Sequence, residues 1–319
     1  MARYGITVPF DGIPLHAHRD VFRELVDLGY TDLWSAESGG NDGFTPLTLA
    51  AVWAPEARLG VAIVPAYTRG PATLAMCVAS LADAAPGRFV FGLGSSSKVI
   101  VEDWNATPFD KPYQRTRDTL RFLQKALSGE KVTETYETFE VRNYRLGRRV
   151  EKVPPILLGA LRSGMLRLAG READGAILNW LSPSDVKQVV PLVHEAGPGK
   201  EIAARIFVCP SSDRDAVRAL GRRAIAAYLN VPVYAAFHEW LGRGELLNPM
   251  WEKWKAGDRR GASESVPDEV IDQLVINGPP EACKEQIQAY VENGVDTPVL
   301  AIFPLGMSPT EAARKLAPK

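Results

Sequence analysis

The feature that most constrains this chain is a series of short apolar runs that do not alternate. Tyr4–Val8, Asp32–Ser35, Leu59–Pro65, Phe89–Leu93, Ile156–Gly159, Ala176–Asn179, Ala203–Val208 and Pro298–Phe303 are bounded by Gly, Pro or charged residues. A strand with one face in water alternates polar and apolar side chains, whereas one covered on both faces reads as a continuous apolar run. Helical spacing fills the segments between the runs. Asp20–Leu28 stops at Gly29, and Pro71–Ala84 starts on Pro and aligns Leu74, Val78 and Leu81. Lys111–Leu127 aligns Leu120, Leu123 and Leu127, and Pro280–Asn293 ends before Gly294. Covered strands alternating with helices over 319 residues predict an α/β fold, a (β/α)8 TIM barrel with insertions, as one domain spanning 1–319.

The insertions fall at about 130–155 and 230–278. The first contains TETYETFEVRNYRL, which alternates like a hairpin or an added strand. The second carries Trp240, Trp251 and Trp254 and a GDRRGASESV loop, suited either to shaping a pocket or to an interface.

Lys plus Arg total 37 against 38 acidic residues, a formal net charge of -1. With no basic excess and no polybasic block, neither nucleic acid nor a membrane surface is an expected partner. Cys77, Cys209 and Cys283 are scattered, without CxxC or zinc spacing, and read as thiols of a reducing cytosol. The N-terminal MARYGITVPF has no signal-peptide core, and no apolar run is long enough to span a bilayer. A cytoplasmic protein acting on a small molecule is expected.

Barrel enzymes place their chemistry at the C-terminal ends of the strands. The segments there read PFDGIPLHAH, AESGGND, AYTRGP, GSSSK, ALRSG and NWLSP, rich in Gly, Ser and single aromatics. Gly92-x-Gly94 lacks the third glycine of a dinucleotide turn, Ser97 standing in its place. Small residues let backbone N–H groups approach an anion, and serine hydroxyls add donors. The same composition also makes a solvated turn, so both readings stand for Gly94, Ser95 and Ser96. In PPILLGALRSGMLRLAGREADGAILNW, the link from Gly159 through Ala160, Leu161, Arg162 and Ser163 to Gly164 leads into a helix. A helix N-terminus with a nearby arginine suits a phosphate. Glu37 is either an acceptor in the barrel mouth or a rim carboxylate paired with an arginine or water. His16 and His18 form an H-x-H pair without a third ligand, so no metal is expected. His194 and His238 fall in helical stretches and read as packing or surface residues. No nucleophile elbow or Cys/His pair supports covalent hydrolysis.

Three runs taken together, LGVAIVPAYTRGPATLAM, APGRFVFGLGSSSKVIVEDW and PPILLGALRSGMLRLAGREADGAILNW, resemble the luciferase-like monooxygenase superfamily. More narrowly, they resemble its coenzyme F420-dependent oxidoreductases of actinobacterial type. The resemblance extends to the last run at Leu300–Pro304. It implies a dimeric barrel whose mouth holds the deazaflavin ring, with the phosphate tail running to the rim. It implies a non-prolyl cis peptide within Val61, Ala62 and Ile63 backing the ring, and Glu37 as the acid beside it. It also implies that Ser95, Ser96 and Gly159–Ser163 receive the tail. One departure is Ser38, which follows Glu37 where several relatives carry a histidine or aromatic residue. Alcohol or sugar-phosphate oxidation relying on that residue is therefore not carried over. The function implied is hydride transfer between F420 and a small organic substrate. His16, Tyr67, Trp104 and Trp180 are candidate pocket walls, and each reads equally as a packing residue. The alternatives are an FMN-dependent monooxygenase, a cofactor carrier without chemistry, and a non-redox lyase or hydrolase pairing Glu37 with Asp11 or Asp42.

Overall fold

The computed structural model describes residues 3–318. β1 (Gly5–Thr7) leads to α1 (His18–Asp27), β2 (Asp32–Ser35) to α2 (Thr45–Trp53), and β3 (Arg58–Val61) with β4 (Val64–Pro65) to α3 (Pro71–Ala84). β5 (Phe89–Gly94) precedes α4 (Pro112–Leu127) and an antiparallel hairpin, β6 (Val132–Thr135) with β7 (Glu140–Tyr144). β8 (Ile156–Gly159), α5 (Ser163–Glu172), β9 (Gly175–Asn179), α6 (Pro183–His194) and β10 (Glu201–Cys209) resume the alternation. Five helices follow: α7 (Arg214–Leu229), α8 (Pro232–Trp240), α9 (Gly244–Lys255), α10 (Arg259–Glu264) and α11 (Asp268–Leu274). β11 (Val275–Asn277), α12 (Pro280–Glu292), β12 (Thr297–Ile302) and α13 (Pro309–Lys315) complete the order.

The main sheet is parallel. Neighbours run β12, β1, β2, β3, β5, β8, β9, β10 and back to β12, which closes the expected eight-stranded barrel. Two details differ from the sequence expectation. Leu59–Pro65 is not one strand: β3 and β4 are separated at Ala62–Ile63, whose peptide bond is cis, and β4 pairs with the end of β5. The stretch 230–278 is not wholly outside the sheet either. β9 leaves β10 at Arg205, and β11 takes over along Phe207–Cys209. That strand hides in the sequence because it is three residues long and directly continues the apolar pattern of α11. No helix among the described residues is long and apolar enough to cross a membrane.

Trp34 of β2 fills the barrel interior, 1% exposed, in a cluster with Val90, Leu157, Ile177, Ala203 and Val299. Its indole needs space on both neighbouring strands. A Cβ on Gly60 would sit 2.3 Å from Trp34 Cδ2, and one on Gly5 3.1 Å from Cδ1. Beneath the indole, at the N-terminal ends of the strands, Arg58 of β3 donates to Asp32 (3.2 Å) and to both oxygens of Glu201 on β10 (2.7 and 2.6 Å). Thr297 of β12 also donates to Glu201 (2.8 Å). Burial works against the charge on Arg58, but the Glu201 and Asp32 carboxylates overcome it and hold its pKa above the ordinary guanidinium value. This network ties opposite sides of the barrel together at its stability face.

The helical insertion is fastened by a buried ion pair. Ser182 and Asp185 form a capping box at the start of α6, and Arg243, between α8 and α9, donates to both Asp185 oxygens (3.1 and 2.8 Å). Arg243 and Asp185 are each 6% exposed, so neither charge can be left alone cheaply.

Close packing around Trp34 predicts that Gly60→Ala destabilises the protein by about 1–3 kcal/mol. Gly40→Ala, where an added Cβ meets nothing within 4 Å, should stay within about 0.5 kcal/mol of the parent. Denaturant midpoints of the two variants check this.

Candidate functional site

Above the Trp34 layer the barrel opens into a cavity of about 960 Å³, walled by the C-terminal ends of β2, β5, β8, β9 and β10 and by residues of α7 to α10. The polypeptide just past β3 contributes Ala62 and Ile63, which pack on the Trp34 cluster from above. Ile63 reaches across to the neighbouring strands. A Cβ on Gly94 would lie 2.9 Å from its Cδ1, and one on Gly159 3.2 Å from its Cγ2. The missing side chains of these glycines therefore make room for Ile63 within the protein itself.

Beyond Gly94 the chain turns through Ser96, which takes a left-handed φ of 63°, into a π-helical turn at Val99–Trp104. Such turns are rare in regular helices and frequent at functional sites. Among the described residues the hydroxyls of Ser95 and Ser96 have no protein partner, while the Ser97 hydroxyl accepts from Ile100 N–H (3.4 Å). On the adjacent strand, β8 runs through Ala160 and Leu161 into α5, whose N-cap residue Arg162 is extended and gives no side-chain cap. The first-turn N–H groups of α5 thus border the cavity beside the serines, at the positive end of the helix dipole.

Glu37, just past β2, is held by three donors. Gly43 N–H donates to Oε2 (2.9 Å), while Arg69 (2.6 Å) and Thr68 (3.3 Å) donate to Oε1. Burial opposes the charge on Arg69, but its hydrogen bond to Glu37 and the charge of that carboxylate prevail and hold its pKa above the ordinary value. Glu37 borders the cavity as one half of an ion pair, so the two readings of the sequence coincide. Asp42 is occupied at the start of α2, accepting from Phe44 and Thr45 N–H (2.8 and 2.9 Å), and Asp11 is exposed. Neither carboxylate lines the cavity.

A second polar group sits on the opposite wall. Asn179 at the end of β9 and Arg205 of β10 face each other in register. Asn179 Nδ2 donates to the Tyr234 hydroxyl (2.7 Å), whereas its Oδ1 is buried without a partner among the described residues. Burial pushes the Tyr234 hydroxyl up to about 12. None of these three was singled out from sequence. The available signal was Arg205 itself, a lone charge inside the apolar run IAARIFVC.

The other expected residues divide plainly. Ala160, Leu161, Arg162 and Ser163 line the cavity together with Ser95 and Ser96; Val61 lies below it, fully buried. Of the four wall candidates, Trp104 is in the wall, 59% exposed and close over Gly39. Trp180 is buried and stacks on Phe207 with centroids 3.8 Å apart. Tyr67 is buried, donating to the Asp110 carbonyl, and His16 is exposed on a turn before α1. His18 packs inside, its Nε2 accepting from Phe10 N–H (2.9 Å) and its Nδ1 donating to Pro14 carbonyl (3.1 Å). Trp240 and Trp254 of the helical insertion reach the cavity, whereas Trp251 donates to the Leu229 carbonyl (2.9 Å).

The family model described as luciferase-like monooxygenase matches residues 3–297. The chain is 26% identical to a 5,10-methylenetetrahydromethanopterin reductase of Methanolobus tindarius, over 96% of this chain and 95% of the relative. Its fold is similar to the solved coenzyme F420-dependent tetrahydromethanopterin reductase of Methanopyrus kandleri, with a TM-score of 0.81 and 23% identity over 99% of this chain and 97% of that one. An F420-dependent secondary alcohol dehydrogenase solved with an F420–acetone adduct is also similar, with a TM-score of 0.78 and 15% identity over 99% of this chain and 96% of that one.

The Glu37–Arg69 pair, with side chains 16% and 19% exposed, should be worth more than an ordinary surface pair. A double-mutant cycle with Glu37→Ala and Arg69→Ala is expected to give a coupling of about 1.5 kcal/mol, against about 0.2–1 for exposed pairs. Urea unfolding of the four proteins measures it, and a coupling near zero contradicts the assignment.

Proposed function

The chain belongs to the luciferase-like monooxygenase family, and from that premise we propose that it is a coenzyme F420-dependent oxidoreductase acting on a small organic substrate. The observation that carries this reading is the pairing, on adjacent strands β5 and β8, of an unpartnered serine turn with the uncapped start of α5, beside an otherwise largely apolar cavity. A flat apolar ring and an anionic tail require those two environments side by side. The names of the similar reductase and alcohol dehydrogenase support the same cofactor.

The deazaflavin, when bound, supplies hydride-transfer chemistry, and the protein supplies position and electrostatics. In this reading Ala62 and Ile63 would hold the ring from the barrel side, with Val61 fixing them from below. Ser95, Ser96 and the N–H groups of Ser163 and Gly164 hold the phosphate, with exposed Arg162 adding charge at the rim. Gly94 and Gly159 keep Ile63 in place, and Ala160 and Leu161 line the tail's path. Glu37, immobilised by Arg69, would present a fixed carboxylate to the bound cofactor. Ser38 follows it, so a histidine is not available there to take a substrate proton.

The same reading places the enzyme in the cytoplasm as a homodimer. Its three free thiols fit a reducing compartment. Val52 on α2 and Met76 on α3 are 72% and 50% exposed, on successive helices of mostly apolar sequence that suit a covered face.

Gly164→Asp separates cofactor binding from fold. The position has no atom within 4 Å of an added Cβ, and an acid in the first turn favours the α5 dipole, while its charge opposes a phosphate. F420 affinity, followed by fluorescence, should fall by about tenfold or more, with the thermal transition of the apoprotein unchanged or raised. Unchanged affinity contradicts the cradle.

A further inference from the structure

Next to the phosphate cradle, the wall formed by β9 and β10 carries polar atoms that the protein itself does not use. Arg205 lines the cavity, and its side chain makes no hydrogen bond or ion pair among the described residues; its guanidinium lies 4.9 Å from the centre of the Phe207 ring. Its Nε is buried and unpartnered, as is Asn179 Oδ1 across the β9–β10 register. The Tyr234 hydroxyl accepts from Asn179 Nδ2, which leaves its own proton free to donate. Such groups are costly to leave unpaired and are normally satisfied.

The charge balance of the wall points the same way. Glu37, the one carboxylate lining the cavity among the described residues, is already neutralised by Arg69. Arg162 and Arg259 are exposed at the rim, so Arg205 is the cation set into the interior wall. Around it the surfaces are apolar and aromatic, from Tyr228, Val233 and Trp240. A planar guanidinium with free N–H groups beside a phenol donor matches a carboxylate, which it can bind in two-point fashion. An adjacent carbonyl oxygen in need of a donor matches an N–H or O–H on the same molecule.

We propose that Arg205, Tyr234 and Asn179 form the substrate anchor, and that the substrate is a small organic acid with an apolar body. Arg205 and Tyr234 bind its carboxylate, and Asn179 accepts from a donor next to it. This rests on the proposed function only in taking the cavity as the reaction site.

The test uses a panel of aromatic and alkyl monocarboxylates, each paired with its neutral primary amide, titrated against the purified protein by tryptophan fluorescence with and without F420. At least one acid should bind about tenfold or more tightly than its amide. That preference should vanish in Arg205→Met, survive in part in Arg205→Lys, and leave F420 affinity within about threefold of the parent. No acid preference in the parent protein, or a preference that persists in Arg205→Met, overturns the proposal. So does an Arg205→Met variant that loses F420 as steeply as acid, which would assign the arginine to the cofactor. Acid preference without any F420 binding would overturn the cofactor reading and leave the anchor standing. If Arg205→Met does not fold, Tyr234→Phe makes the same comparison, and a full acid preference retained there overturns the anchor.

Discussion

The architecture depends on how one large side chain is accommodated inside a narrow barrel. Trp34 projects from β2 into the space between the strands, and Gly60 and Gly5 on either side leave it room. With the indole in place the lower barrel is solid, sealed beneath by the Arg58, Asp32 and Glu201 network. Whatever binds must bind above it, at the C-terminal ends of the strands, as in other barrels of this type. The same rule recurs one layer higher, where Gly94 and Gly159 accommodate Ile63. Gly5, Gly60, Gly94 and Gly159 are thus counterparts of two large side chains, Trp34 and Ile63.

Stacked in this way, the layers give the cavity two chemically different sides. Toward β5 and β8 there are neutral donors, serine hydroxyls and helix N–H groups, suited to a phosphate without burying a counter-charge. Toward β9 and β10 there is a fixed positive charge with an orphan acceptor beside it. These two patches adjoin at β8 and β9, and the remaining walls are mostly apolar, which strengthens both sets of interactions by excluding water. The helices of 214–274 close the upper wall, held to the barrel through Arg243 and Asp185.

Much of this was legible in the amino-acid order because burial on both faces leaves a distinctive mark. The barrel runs stand out as unbroken apolar segments, and α3 spans the same Pro71–Ala84 that its leading proline and apolar spacing indicate. The cis peptide at Ala62–Ile63 fell within the segment that the family resemblance indicated. What stayed hidden depends on contacts distant in sequence. β11 shows no pattern of its own, since it exists through pairing with β10. Trp180 and Tyr67 sit at strand ends, where aromatic residues suit pocket walls, yet Phe207 and Asp110 draw them into the packed interior. Arg205 was visible as a charge in an apolar strand, but its meaning required knowing that nothing pairs with it.

The central claim is that the cavity is built for a deazaflavin. The most direct measurement is a fluorescence titration of the purified apoprotein with oxidised coenzyme F420 and, separately, with FMN. The account predicts saturable binding of F420, with FMN binding at least about tenfold weaker. Tighter binding of FMN, or no binding of F420, would contradict it.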